Sequence, residues 1–312
     1  MQRRPLGSSG LTVSAIGLGT WAMGGHIPTW GHVDDRESIA AIHEALDCGI
    51  NLIDTAPIYG LGHSEDIVGK AIHGRRDEAV LATKCGLLPP EAEEAVPPRC
   101  LSRANILREC EESLRRLRTD AIDLYQCHWP DPSTPHEETM GALATLLQQG
   151  KIRAIGLSNY SCDQIASARE FGPVHALQLP FSMIHLRAAD DLIPFCVEHE
   201  MAVLPYSPLA KGLLTGKFSA ETRLTGMRAR DPEFRGERFR RNLGLLKQLG
   251  SIAARYERTV TQLVVNWTAT YPGVTAPLLG AKRPSQVREH CGALDWSISE
   301  EDRLRIDTIL RS

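Results

Sequence analysis

The sequence predicts an α/β protein built as one (β/α)8 TIM barrel, a single domain over residues 1–312, on three observations. Eight short apolar runs alternate with stretches of helical period in unbroken order. Most of the runs lack polar alternation, as strands covered on both faces do. Polar residues gather at the C-terminal ends of the runs, where parallel barrels place their chemistry. A doubly wound open sheet competes, and periodicity alone does not separate the two.

Taken in order, the first run is "AIGLGT" (15–20), followed by the helical pattern "DDRESIAAIHEALDCG", acidic at its start and closed by Gly49. The second is "INLID" (50–54), leading to "SEDIVGKAIHG" with Ser64 as the candidate N-cap. "AVLATK" (79–84) is third. The proline-rich "GLLPPEAEEAVPPRC" (86–100) after it reads as a loop over that strand, before the helix "SRANILRECEESLRRL". "IDLYQCH" (122–128) precedes "HEETMGALATLLQQG", which Gly150 ends, and "IRAIGLS" (152–158) precedes "SCDQIASAREFG". "ALQL" (176–179) precedes "ADDLIPFCVEHE"; "AVLPYS" (202–207) and "TAPLLG" (275–280) complete the eight, with "PSQVREHCGAL" after the last. The seventh run is followed by an extended loop over residues 209–241, too long for an ordinary connection. Seven arginines against three acidic residues between positions 223 and 241 mark it as either an anion-binding lid or a solvated loop.

Composition narrows the function classes. The 312 residues are 42% hydrophobic and 23% charged, ordinary globular values. A net charge of -3 gives no reason to expect nucleic acid or an anionic membrane as partner. No apolar run approaches the ~20 residues of a membrane span, and the opening "MQRRPLGSSGLTVS" has no apolar signal core, so a soluble cytoplasmic protein is expected. Eight cysteines stand singly, without the C-x-x-C pairs of a zinc or redox site, and histidines do not fall at metal-ligand spacing.

Familiar motifs fail. "GLGTWAMGG" lacks the third glycine of a dinucleotide fingerprint, and "GLLTGKF" lacks the spacing and hydroxyl residue of a P-loop. No G-x-S-x-G elbow occurs. Four polar side chains remain near the ends of the second, third and fourth strands: Asp54, Tyr59, Lys84 and His128. In a barrel these ends are neighbours around one opening. Lysine beside a phenol favours the tyrosinate and is expected to lower the phenol from its usual pKa of about 10. Asp54 would keep Lys84 charged and oriented. A neutral His128 would hydrogen-bond a substrate carbonyl oxygen, and Tyr59 would act as general acid.

"GINLIDTAPIYGLGHSEDIVGKAI", "LATK", "IDLYQCHWPDP", "GKIRAIGLSNYS" and "YSPLAKGLLTGK" together closely resemble the aldo-keto reductase superfamily, in the bacterial branch related to potassium-channel beta subunits. The resemblance covers nearly the whole chain. It implies a (β/α)8 barrel that binds NADP(H) without a Rossmann fold, with Asp54, Tyr59, Lys84 and His128 as catalytic tetrad. It further implies that Ser158, Asn159 and Gln178 hold the nicotinamide carboxamide and that Tyr206 stacks on the ring. Ser207, Leu209 and Lys217 would clasp the pyrophosphate, while Thr20, Trp21 and Ala22 run along cofactor and substrate. Gly280, Ala281, Lys282 and Gln286 would meet the adenosine phosphate. Two positions depart from the family pattern. His290 stands where Asn commonly holds the adenine, and Phe181–Ser182 replaces a usual Tyr-Asn.

Trp21 and Trp129, with Tyr59 and His128, are expected to line the substrate pocket, and Trp30 is a weaker candidate. The expected activity is NADP(H)-dependent reduction of aldehydes and ketones. The same residues would serve an alcohol or sugar dehydrogenase, or a non-catalytic cofactor-sensing subunit. Lys282, with Arg283 or Arg288 and the helix start at Pro284, is the expected reader of the cofactor's 2'-phosphate.

Overall fold

The computed structural model describes residues 1–25, 33–90 and 95–311. An antiparallel hairpin opens the chain, β1 (Arg3–Pro5) with β2 (Thr12–Ser14), which the sequence reading did not anticipate. The alternation follows: β3 (Gly17–Gly19), α1 (Asp35–Asp47), β4 (Leu52–Asp54), α2 (His63–Ala71), β5 (Val80–Cys85) and α3 (Arg103–Leu117). Then come β6 (Ile122–Cys127), α4 (His136–Gln148), β7 (Ile152–Ser158), α5 (Cys162–Arg169), β8 (Ala176–Pro180), α6 (Leu192–Glu198) and β9 (Ala202–Tyr206). The chain ends with α7 (Gly226–Arg230), α8 (Gly236–Arg255), α9 (Val260–Ala269), β10 (Leu278–Gly280), α10 (Pro284–Cys291) and α11 (Glu300–Arg311).

Strands β3 to β10 close in parallel, in sequence order, into an eight-stranded barrel sealed by β10 pairing with β3. The open-sheet alternative is thereby excluded. The barrel interior is a cluster of small and branched side chains, among them Leu52, Ala82, Leu124, Ala154 and Ala276. Leu6 and Val13 of the hairpin join this cluster and plug the N-terminal end. Gly7 makes that fit possible: it sits at φ +55, and a Cβ there would lie 2.2 Å from the His175 carbonyl oxygen. A second, larger core lies between barrel and helices.

Local signals explain several helix starts. Asp34 caps α1 through the Arg36 N–H, and Gly49 leaves it at φ +83. Ser161 and Thr259 each form a capping box, with Gln164 and Gln262. The expectation for Ser64 is wrong: α2 begins at His63, with Gly62 at its N-cap. Ser64 lies inside the helix and bonds Thr20 and Thr55 Oγ1 at 2.7 and 3.0 Å, which ties the helix to two strand ends. The long loop also needs correction. Residues 209–241 hold a kinked pair of tight turns at Ala210–Thr215, broken at Lys211 and Gly212 where φ is positive, all of α7 and the first residues of α8. No helix among the described residues is long and apolar enough to cross a membrane.

Candidate active site

Parallel register carries the polar strand ends to one rim. Asp54 is the last residue of β4, Lys84 pairs in register with Gln126, and Ser158 with Gln178. His128 follows β6 directly, its N–H bonded to Cys85 O at 2.9 Å. Lys84 Nζ donates to both Asp54 oxygens at 2.8 Å, to Thr55 O at 2.9 Å and to Tyr59 Oη at 3.3 Å. Gln178 and Gln126 donate to Asp54 Oδ1 at 2.8 and 3.3 Å. Lys84 is fully buried, a costly place for an ammonium, and these acceptors compensate it.

The loop after β4 sets Tyr59. Gly60 sits at φ +63, and a Cβ there would come within 1.9 Å of Gly24 O, so only glycine allows this approach. The packing brings Tyr59 to 6.3 Å from the Trp21 ring and 5.9 Å, edge to face, from His128. Thr20 turns away. Its hydroxyl donates to Asp54 O at 2.9 Å, and it braces the strand ends without lining the cavity.

Burial dominates the electrostatics. It pushes the Tyr59 phenol up, and Lys84 opposes this without reversing it. The expected lowering is therefore corrected: desolvation of a buried tyrosinate outweighs one adjacent cation that Asp54 already engages. Burial also pulls Lys84 down, but Asp54 and then Tyr59 carry it above its ordinary value. For His128, burial and then Lys84 hold the imidazole well below its usual range, hence neutral.

A cavity of about 890 Å³ opens above this group. Tyr59, His128, Trp21 and Trp129 line one end. Ser158, Asn159, Gln178 and Tyr206 form the floor, where Tyr206 donates to Asn159 Oδ1 at 2.8 Å and Asn159 donates to His128 O at 3.0 Å. Asn159 holds φ +65, which its short amide side chain tolerates. Ser207, Leu209, Lys217, Gly280, Lys282 and Gln286 line the other end. Trp30 lies outside the described residues.

The far end is cationic. Burial lowers the Lys282 ammonium, and Arg228, Lys217 and Arg283 lower it further. Of the seven arginines between positions 223 and 241, Arg228 lines the cavity. Arg235 just before α8 is exposed, and so are Arg238, Arg240 and Arg241 within it, because α8 buries its apolar face. Arg283 and Arg288 face Glu37 and Glu44. Gln286 Oε1 occupies the Lys282 N–H at 2.8 Å, so that amide is engaged already. His290 is buried, lines the cavity and is held at about 4 by burial. Phe181 instead stacks on Trp267 at 5.8 Å, away from the cavity.

Sequence reasoning missed several residues here. Gln126 braces Asp54, and Lys211, Arg228, Glu289 and Arg99 line the cavity. Arg228 sits in a stretch where nothing local distinguishes it from its arginine neighbours. Glu289 was legible only as one position before His290.

Residues 15–311 match the aldo/keto reductase family model. The chain is 42% identical to an aldo-keto reductase, YhdN, of Bacillus subtilis, over 100% of this chain and 94% of that protein. It is 38% identical to an NADH-specific methylglyoxal reductase of Escherichia coli, over 97% and 96%. A glycerol dehydrogenase structure from Gluconobacter oxydans superposes with a TM-score of 0.91 at 38% identity, covering 99% of this chain and 94% of that one. With the barrel, the strand-end cluster and a match over nearly its full length, the chain belongs to the aldo/keto reductase family.

Proposed function

We propose that the protein is an NADP(H)-dependent oxidoreductase that reduces aldehydes or ketones to alcohols, with Tyr59 as general acid. The observation that carries the reading is the contact of Lys84 with both Asp54 and Tyr59 beneath the open cavity. Tyr59 and neutral His128 present two hydrogen-bond donors toward one carbonyl oxygen. As negative charge develops there, Tyr59 gives up its proton, and the tyrosinate left behind faces the Lys84 ammonium. Asp54, Thr55 O, Gln126 and Gln178 hold that ammonium and its counter-charge in place. Burial keeps the phenol protonated at neutral pH, as a proton donor must be.

The cavity suits a dinucleotide. Amides and hydroxyls lie beside Tyr59, while at the far end burial and then Arg228 lower Lys217, and burial and then Arg228, Lys217 and Arg283 lower Lys282. Ser158, Asn159 and Gln178 would hold the carboxamide, Tyr206 the ring face, and Ser207, Leu209 and Lys217 the pyrophosphate. Gly280, Lys282 and Gln286 would take the adenosine phosphate. A nicotinamide held there by these residues would supply the hydride for the carbonyl carbon. The clustered cations favour the cofactor with the additional 2'-phosphate. The name of the Escherichia coli relative specifies NADH, so preference between the cofactors is the property to measure.

The likeness to a glycerol dehydrogenase supports a second reading, in which the same residues work mainly in the oxidative direction. Steady-state assays with NADPH and an activated aromatic aldehyde, then with NADP+ and glycerol, separate the two. No turnover in either direction would leave a cofactor-binding subunit in their place.

A further inference from the structure

Arg99 occupies the cavity wall near Trp129 and Leu87. Its guanidinium lies 5.0 Å from the centre of the Trp129 ring, and Nη1 donates to Pro130 O at 3.1 Å. The backbone beneath it is clipped. Arg99 bridges Leu87 in antiparallel fashion, Leu88 N–H meets Pro98 O at 2.9 Å, and Cys100 N–H meets Gly86 O at 3.1 Å. Both legs are anchored in turn. Glu109 Oε2 accepts the Gly86 N–H at 2.6 Å, and Asp131 Oδ2 accepts the Leu101 N–H at 2.9 Å. A long cationic side chain on a surface loop normally wanders; this one is set on an aromatic platform and a fixed carbonyl.

Among the described residues its charge has no counterpart at this end of the cavity. Among the described residues, the remaining charged lining group near Tyr59 is Asp54, already engaged by Lys84. The walls between are apolar: Trp21, Ile58, Leu87 and Trp129. A neutral carbonyl compound needs no cation here. An arginine lying against an indole keeps its in-plane N–H fork open to a planar anion.

We infer that Arg99 selects carbonyl substrates that carry a carboxylate remote from the reacting carbonyl, with an apolar spacer lying between the tryptophans. This rests on the reductase reading above and adds the substrate class. The carboxylate docks on the guanidinium while the carbonyl reaches Tyr59 and His128.

The test compares para-carboxybenzaldehyde with its uncharged methyl ester, measuring kcat/KM for each. Arg99→Gln should lower the acid-to-ester ratio about five-fold, the scale of a partly exposed ion pair, through KM of the acid. Arg99→Lys should retain most of the ratio, and added salt should shrink it in the wild type. An unchanged ratio in Arg99→Gln, or an equal loss on both substrates, overturns the inference; the second outcome marks a structural role. If neither compound is turned over by the wild type, the reductase reading fails. Calorimetric dissociation constants for the two compounds, with and without Arg99→Gln, then decide the role of Arg99 by the same ratio.

Discussion

Lys84 Nζ stands 2.8 Å from both oxygens of the Asp54 carboxylate, in a pair almost wholly closed to solvent. A buried pair of this kind does little for stability in sum, because desolvation consumes most of the Coulombic attraction. Breaking it is another matter. Lys84→Met leaves Asp54 charged with only two amides, and should lose about 3–5 kcal/mol as well as turnover. Urea denaturation of Lys84→Met and of Lys84→Met/Asp54→Leu checks this, since the double variant should recover much of the loss. The folded pKa of Lys84 is raised, so its contribution is present below the unfolded value of about 10.4 and fades as pH climbs through the folded one.

Tyr59→Phe would remove the proposed proton donor while leaving the ring against Trp21 and His128. Turnover should fall by about two orders of magnitude with cofactor affinity retained. Near-normal turnover would remove Tyr59 from the mechanism.

Cofactor choice should rest on the cations around Lys282. Wild-type protein should bind NADPH more tightly than NADH, and Lys282→Ala should weaken NADPH about ten-fold while sparing NADH. Fluorescence titration measures both constants. Tighter NADH binding would align the chain with its Escherichia coli relative instead, and equal affinities would remove the preference.

The segment after β9 is strained and tied down. Ser207, Ala210 and Lys211 all hold positive φ, Lys211 pairs with Asp231 at 2.5 Å, and Arg228 Nε donates to Lys211 O at 2.9 Å. Bound cofactor should add hydrogen bonds to this strap and slow its amide exchange. Asp231→Ala should release it, raising cofactor dissociation about ten-fold in stopped-flow measurements. Equal exchange with and without cofactor would count against closure.

His290 supplies a pH signature. Its folded value of about 4 lies below the ordinary 6.5, so the unfolded chain binds the extra proton between the two. Stability from this group is therefore full above about 6.5 and is lost as pH falls toward 4, by up to about 3 kcal/mol. Denaturation midpoints across that window should fall less steeply for His290→Gln. Identical slopes would show that other groups carry the acid sensitivity.

The sequence by itself determined the alternation of eight strands with helices and the four polar residues near the strand ends, while closure into a barrel instead of an open sheet was decided by β10 pairing with β3. Apolar runs without alternation follow directly from strands covered on two faces, and a polar residue at each end needs no tertiary detail to be noticed. Tertiary structure alone decided what those residues feel. The direction of the Tyr59 shift depends on the balance between burial and Lys84, and neither depth nor distance is written in residue order. The N-terminal hairpin escaped because its strands are short and its plugging role exists only once the barrel has an open end to fill. Ser64 reads as a cap until Thr20 and Thr55 arrive beside it from other strands. Arg99 and Arg228 look like any surface arginine in sequence. Closure of the barrel brings both to the wall of one cavity. Local patterns record backbone preferences, whereas charge environments are sums over neighbours that the chain brings together from far apart.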